Sequence, residues 1–201
     1  MKRRVVITGI GPVTSIGIGR SEFWNNILSD VKPVLRRIPA NQIKTKSQVY
    51  IPFPKFNIAD YGIPPYYDFL QPEDKLAVVG TKLALEDAGY NIIPDNKRFA
   101  IAEPSGVATV IGTGFTGFET AFHSYLAHLG MDYVSLRDNK KVSFNRMVIP
   151  LLMSNSPAAW VSILYGLKGE SYTTSASCAS GTYGVGEAYR KIADGYYDLI
   201  S

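Results

Sequence analysis

Apolar residues fall along the chain in blocks of two kinds. Short continuous runs closed by glycine or proline read as buried strands. Apolar residues returning at three- and four-residue steps read as one face of a helix. Residues 4–8, Arg-Val-Val-Ile-Thr, make the first run, closed by Gly9, Gly11 and Pro12. Trp24, Ile27 and Leu28 follow at helical spacing, with Ser21 placed to cap that helix. Residues 73–89 predict a second helix, with Leu76, Val79, Leu83 and Ala84 inward and Gly89 ending it. Residues 107–111 are a buried-type strand. Residues 115–129 are helical, as are 147–165, the latter interrupted by Pro157. Residues 171–174, Ser-Tyr-Thr-Thr, favour a strand. Val185, Ala188, Tyr189 and Ile192 place an apolar face on a helix over 178–194, and residues 197–200 begin one more strand.

Residues 30–72 break the pattern. Prolines from Pro33 to Pro72 exclude a long helix there, while Tyr50, Phe53, Phe56, Tyr61, Tyr66, Tyr67 and Phe69 make the stretch too aromatic for a disordered linker. It reads as an excursion of loops and short elements packed on the sheet, its aromatics chiefly core. Elsewhere strands alternate with helices, so the fold class is α/β, layered, with a mostly parallel sheet covered by helices. No internal repeat, low-complexity tract or clear linker divides the chain.

Composition narrows the function. The 201 residues are 46% hydrophobic and 19% charged, ordinary for a globular protein with ample core. No apolar run approaches the roughly 18 residues of a membrane span, so no membrane association is expected. The basic start, Met1-Lys2-Arg3-Arg4, precedes too short an apolar run for a signal peptide. Twenty-one Lys and Arg against 17 Asp and Glu give +4. That excess is too small to argue for nucleic acid, and mildly suits an acidic protein partner. A single cysteine excludes an intrachain disulfide and fits a reducing cytoplasm.

That cysteine, Cys178, is the main chemical candidate. It lies between a predicted strand and a predicted helix, beside the small residues Ala179, Ser180 and Gly181. The unpaired N–H groups and dipole of a helix start favour an anion such as a thiolate. Small neighbours admit a substrate carbonyl, whose oxyanion the turn's N–H groups could hold. Lone cysteines are more often small buried hydrophobes, so the context carries the nucleophile reading. Gly112-Thr113-Gly114-Phe115-Thr116-Gly117 matches a dinucleotide-binding G-x-G-x-x-G. Its acidic partner would be Asp132 or Asp138, neither preceded by a convincing strand, so a glycine turn serving a cleft is preferred. His123 and His128 lie five residues apart, a poor spacing for sharing a metal on one helix face, and are read as surface or packing residues. No zinc-ligand cluster is present.

The motif Ser175-Ala176-Ser177-Cys178-Ala179-Ser180-Gly181 resembles the nucleophile motif of the β-ketoacyl synthases, the condensing enzymes of fatty acid and polyketide synthesis. Residues 4–14 resemble that family's first strand and turn. Asp74-Lys75 followed by residues 83–89 resembles an early helix, and residues 110–114 resemble the third strand and glycine turn. Asn155 and residues 163–169 resemble the segment leading into the nucleophile strand. The landmarks come in family order across nearly the whole chain. Around Arg137 and Lys140-Lys141 the chain is several residues longer than typical members.

The resemblance implies a thiolase-like layered fold of which residues 1–201 are the N-terminal half, the β-ketoacyl synthase N-terminal domain, with the C-terminal half absent. It implies that Cys178 forms an acyl-enzyme, which condenses with malonyl-carrier protein. Phe115 falls where the family lines its acyl pocket. Two histidines, a lysine and a phenylalanine gate belong to the half not present, so the isolated chain is expected to be inactive. No cofactor is implied beyond the phosphopantetheine of an acyl carrier protein, the expected partner. A homodimer, or a heterodimer with another condensing-enzyme subunit, is expected through residues 171–175. The alternatives are a non-catalytic partner or truncated remnant of a condensing enzyme, and a thiolase-type coenzyme A condensing enzyme.

Overall fold

The computed structural model describes residues 3–38, 46–95, 97–101, 106–129 and 147–201. A small hairpin of β1 (Val13–Thr14) and β2 (Gly17–Ile18) leads into α1 (Arg20–Leu28). A second short antiparallel pair joins β3 (Arg36–Arg37) to β4 (Val49–Tyr50). Two 3-10 turns follow, at Ile58–Tyr61 and Pro65–Tyr67, then α2 (Pro72–Asp87). Next come a hairpin of β5 (Ile93–Asp95) and β6 (Arg98–Ala100), the strand β7 (Val107–Gly112), and the helices α3 (Phe118–His128), α4 (Val148–Leu152) and α5 (Ser156–Tyr165). The chain closes with β8 (Ser171–Thr174), α6 (Ser180–Ala193) and β9 (Leu199–Ile200).

The layered α/β reading holds. β7 is the middle strand of a parallel sheet in the order β8–β7–β9 among the described residues. Its residues 107–110 are all buried, so both faces are covered. Thr109 meets the Ser162 hydroxyl of α5. Gly112, of the opposite parity, lies against Ser180 of α6. Helices α5 and α6 therefore cover opposite faces. The core continues from α5 into α2, where Val78, Val79, Val161, Leu164 and Tyr165 are fully buried. The Tyr165 hydroxyl donates to the carbonyl of Val78 at 2.6 Å, which satisfies its one polar atom. Of the aromatics in the excursion, Tyr67 is buried and Phe56, Tyr61 and Phe69 pack on the core, whereas Tyr50, Phe53 and Tyr66 are exposed.

Several expectations are corrected. Residues 4–8 form no strand, and Val6 and Ile7 are 56% and 81% exposed. No strand lies beside them among the described residues, and a strand-like sequence without a partner makes no ladder. The turn behind them sits as expected: a Cβ on Gly9 or Gly11 would lie 2.0 Å from a backbone oxygen of α2. α1 is capped by Gly19, not Ser21. Trp24, Ile27 and Leu28 do share a helix, but their face is exposed. Gly89 does not cap α2 directly; Ala88 does, and Gly89 follows in the left-handed region at φ 84°. Pro157 does not interrupt a helix. It lies in the first turn of α5, where a missing N–H costs nothing, and the break precedes it. The Val185–Tyr189 side of α6 points outward. The buried side is small, formed by Ser180, Gly184 and Ala193, because a close-set helix and strand leave no room for larger residues. Arg137, Lys140 and Lys141 lie outside the described residues.

Candidate active site

The turn between β8 and α6 occupies residues 175–179. Cys178 lies in it, exposed and with a free thiol. The sulfur is thus not in the helix itself but two residues before its first turn, with Ala179 as the cap residue. In the chain as described Cys178 is thus on the surface and not in the core. Ser177 adopts φ 49°, a left-handed conformation uncommon outside glycine. Backbone of this kind persists only where surrounding contacts hold it, and it concentrates at functional sites.

The Ala179 N–H donates to the Ala176 carbonyl across the turn at 3.0 Å, and Ser180 supplies most of the remaining contacts. Ser180 is almost fully buried. Its hydroxyl accepts the N–H of Ala176 at 2.8 Å and donates to the carbonyl of Ser177 at 2.6 Å. Its own carbonyl accepts the Thr174 hydroxyl at 3.0 Å. Ser180 therefore ties the end of β8, both sides of the turn and the start of α6 together. In the sequence Ser180 stands out only for its small size; the signal for its role is that serine side chains readily hydrogen-bond nearby backbone groups in turns.

The glycine turn after β7 lies against this one. A Cβ on Gly112 would be 2.3 Å from the carbonyl oxygen of Ser180, and one on Gly114 would be 3.4 Å from that of Ser177. The space above Gly112 is filled by the α6 backbone, so this glycine admits a helix and not a diphosphate. Gly117 is needed for its φ of 72° and for its approach to Leu151, whose oxygen a Cβ would meet at 2.4 Å. Asp132 and Asp138 lie outside the described residues. Phe115 is 74% exposed on this turn, one residue from the Gly114–Ser177 contact. Its ring lies 5.9 Å from that of Phe118, which stacks on Phe122 at 6.2 Å. The structure thus brings the glycine turn and the cysteine turn together, with Phe115 outside the core.

His123 is half-exposed on α3, 3.8 Å from Glu119 of the same helix, and the side chain of His128 lies outside the described residues. Among the described residues no three His, Cys, Asp or Glu side chains gather as metal ligands. No helix among them is long and apolar enough to cross a membrane.

The family described as Beta-ketoacyl synthase, N-terminal domain, matches residues 2–200. A putative mitochondrial 3-oxoacyl-[acyl-carrier-protein] synthase of Schizosaccharomyces pombe is 30% identical over 207 residues, which cover 98% of this chain and 45% of that protein. The crystal structure of a beta-ketoacyl synthase from Burkholderia phymatum superposes with a TM-score of 0.73 at 27% identity, covering 98% of this chain and 45% of that one. A type II polyketide ketosynthase, solved in complex with its acyl-carrier protein and bound to the hexaketide, shares the fold with a TM-score of 0.71 at 20% identity, covering 98% of this chain and 49% of that one. The chain spans about half the length of these relatives, and the fold it shares with them is thiolase-like.

Proposed function

The chain belongs to the β-ketoacyl synthase family, and from that premise we propose that it is the N-terminal domain of a β-ketoacyl-acyl-carrier-protein synthase, with Cys178 as the residue that carries the acyl group. The observation that carries this reading is an exposed cysteine in a strained turn between strand and helix, held by Ser180. The Cys178 thiolate adds to the carbonyl carbon of an acyl thioester. The tetrahedral intermediate collapses, expelling the carrier thiol and leaving the acyl group on sulfur. A malonyl thioester then loses carbon dioxide, and its carbanion attacks the acyl-cysteine carbonyl. The carbon–sulfur bond to Cys178 breaks, and the β-ketoacyl chain leaves on the carrier. His123 lies outside the family's histidine motifs and is given no part in decarboxylation.

Phe115 is proposed as a wall of the acyl site. Its exposure and its place beside the cysteine turn support that role over a core role. A phenyl ring there would meet long acyl chains a few carbons beyond the thioester. The partner is an acyl carrier protein, in keeping with the net charge of +4. β8 is an edge strand of the sheet as described, and it is the proposed seam of a homodimer or heterodimer. The single cysteine suits the cytoplasm, although the fission yeast relative is named as mitochondrial. A non-catalytic partner has no use for an exposed cysteine in a built turn, so the enzymatic reading is preferred.

The test is the rate at which a thiol-directed acyl analogue modifies Cys178, read by mass spectrometry. An activated nucleophile reacts faster than the thiol of a short unstructured peptide at the same pH. Equal rates would remove the reading.

A further inference from the structure

The first turn of α2 carries two adjacent carboxylates whose oxygens reach three different helix starts. Asp74 accepts the N–H of Gln71 in its own helix at 3.4 Å and the hydroxyl of Ser156, the first residue of α5, at 2.9 Å. Glu73 accepts the N–H of Gly117, immediately before α3, at 2.5 Å. The neighbouring Gln71 amide donates to the Thr120 hydroxyl of α3. An anionic acceptor suits the N–H at a helix start on both charge and dipole grounds.

Glu73 matters because of what Gly117 ends. The stretch 112–117 is fixed at its near end, where Gly112 lies on Ser180 and Gly114 approaches Ser177. It is fixed at its far end by Glu73 on Gly117 and by the Thr116 hydroxyl, which donates to the Met153 carbonyl at 3.3 Å. Between these ends Phe115 is exposed. Among the described residues its backbone carbonyl accepts a long bond from the Thr113 hydroxyl, at 3.4 Å, and its ring rests on Phe118. The position of the phenyl ring therefore follows from the two ends of the stretch.

We propose that Glu73 is a positioning residue for acyl-chain selection, holding the 112–117 turn so that Phe115 stands beside the approach to Cys178. The proposal rests on the reading of Cys178 and Phe115 as an acyl site. Releasing Gly117 lets the turn lift and the ring swing away, which favours long chains over short ones. Loss of fold alone would slow both alike.

The experiment uses the synthase of which this chain is the proposed N-terminal domain, and compares Cys178 labelling by N-ethyl iodoacetamide and N-dodecyl iodoacetamide, taken as a ratio of rates. Glu73→Ala is expected to raise the long-to-short ratio at least about fivefold. Glu73→Gln keeps an oxygen facing Gly117 and should stay within about twofold of the parent. Phe115→Ala should raise the ratio by itself, and adding Glu73→Ala to it should change nothing more. Where Glu73→Ala fails to fold, Glu73→Asp, one methylene too short to reach Gly117, replaces it and should raise the ratio likewise. An unchanged ratio in the Glu73 variants overturns the proposal, as does an equal additional gain in the Phe115→Ala background. Parent protein labelled by the short reagent no faster than a peptide thiol is a separate result; it overturns the acyl-site reading, and this proposal with it.

Discussion

Ser180 controls the geometry of the cysteine more directly than any neighbour in sequence. Replacing it with alanine removes two part-buried hydrogen bonds, the acceptor for the Ala176 N–H and the donor to the Ser177 carbonyl, which keeps the backbone N–H of residue 180 at 3.2 Å. Each lost bond costs about 0.5–1.5 kcal/mol. Ser180→Ala is therefore expected to lower the denaturation midpoint and to slow Cys178 labelling, whereas Ser180→Thr keeps the hydroxyl and should retain more of both properties than Ser180→Gly. Urea melts and labelling rates on the same samples check this. Cys178 was legible as a candidate because the strand pattern, the small residues and the helical pattern meet around it. The left-handed Ser177 was not legible. No composition signal marks a serine for positive φ; the hydrogen bonds of Ser180 and Ala179 across the turn and the approach of Gly114 surround it.

At the scale of elements, β7 and α6 meet backbone to backbone. Gly112→Ala places a methyl carbon 2.3 Å from the Ser180 oxygen, so helix or strand must shift. Overpacking of this kind costs about 1–3 kcal/mol, and a loss of Cys178 reactivity larger than the loss of stability is expected, because the shift falls on the nucleophile turn. Equal labelling in a folded Gly112→Ala protein would show that the turn tolerates the displacement. The junction of α2 with α5 makes a second prediction. Burial raises the Asp74 carboxyl from its ordinary 3.8 to about 6, with the Ser156 hydroxyl and the Gln71 N–H opposing the rise. The folded state thus holds this proton more tightly than the unfolded chain. Below about pH 4 both states are protonated and the group is neutral to stability. Stability should then fall as pH rises from about 4 to about 6, by an amount on the order of 3 kcal/mol. Asp74→Asn should flatten that part of the profile, which melting temperatures across the range would show. The pattern placed α2, α3, α5 and the middle strand nearly correctly, since each carries a periodic or continuous apolar signal. It misplaced element ends, as at Ser21 and Pro157, where local hydrogen bonding decides. It also marks residues 4–8 as a strand, because it registers strand character and not the presence of a neighbour. The inward side of α6 was missed for a different reason: Ser180 and Gly184 are buried because they are small, and a hydrophobic period cannot register them.

At the scale of the whole molecule, apolar side chains are exposed on several surfaces. Val6 and Ile7 lie near the start, Trp24 and Leu28 on α1, Phe118 and Tyr125 on α3, and Val185 and Tyr189 on α6. Monomeric soluble proteins rarely leave large apolar patches uncovered. The 201-residue chain by itself is expected to associate or to precipitate, and to bind a hydrophobic dye more strongly than a protein whose core is closed. Light scattering that found a stable, dye-silent monomer would contradict that expectation. The central claim is narrower, that Cys178 takes up an acyl group, and the most direct measurement is a peptide map of the synthase of which this chain is the proposed N-terminal domain, made after exposure to an acyl-carrier-protein thioester. The account predicts one acyl group on the peptide containing Cys178, released by hydroxylamine as a thioester should be, and none in Cys178→Ala. An acyl group found on another residue, or equal labelling of the Cys178→Ala protein, would contradict it.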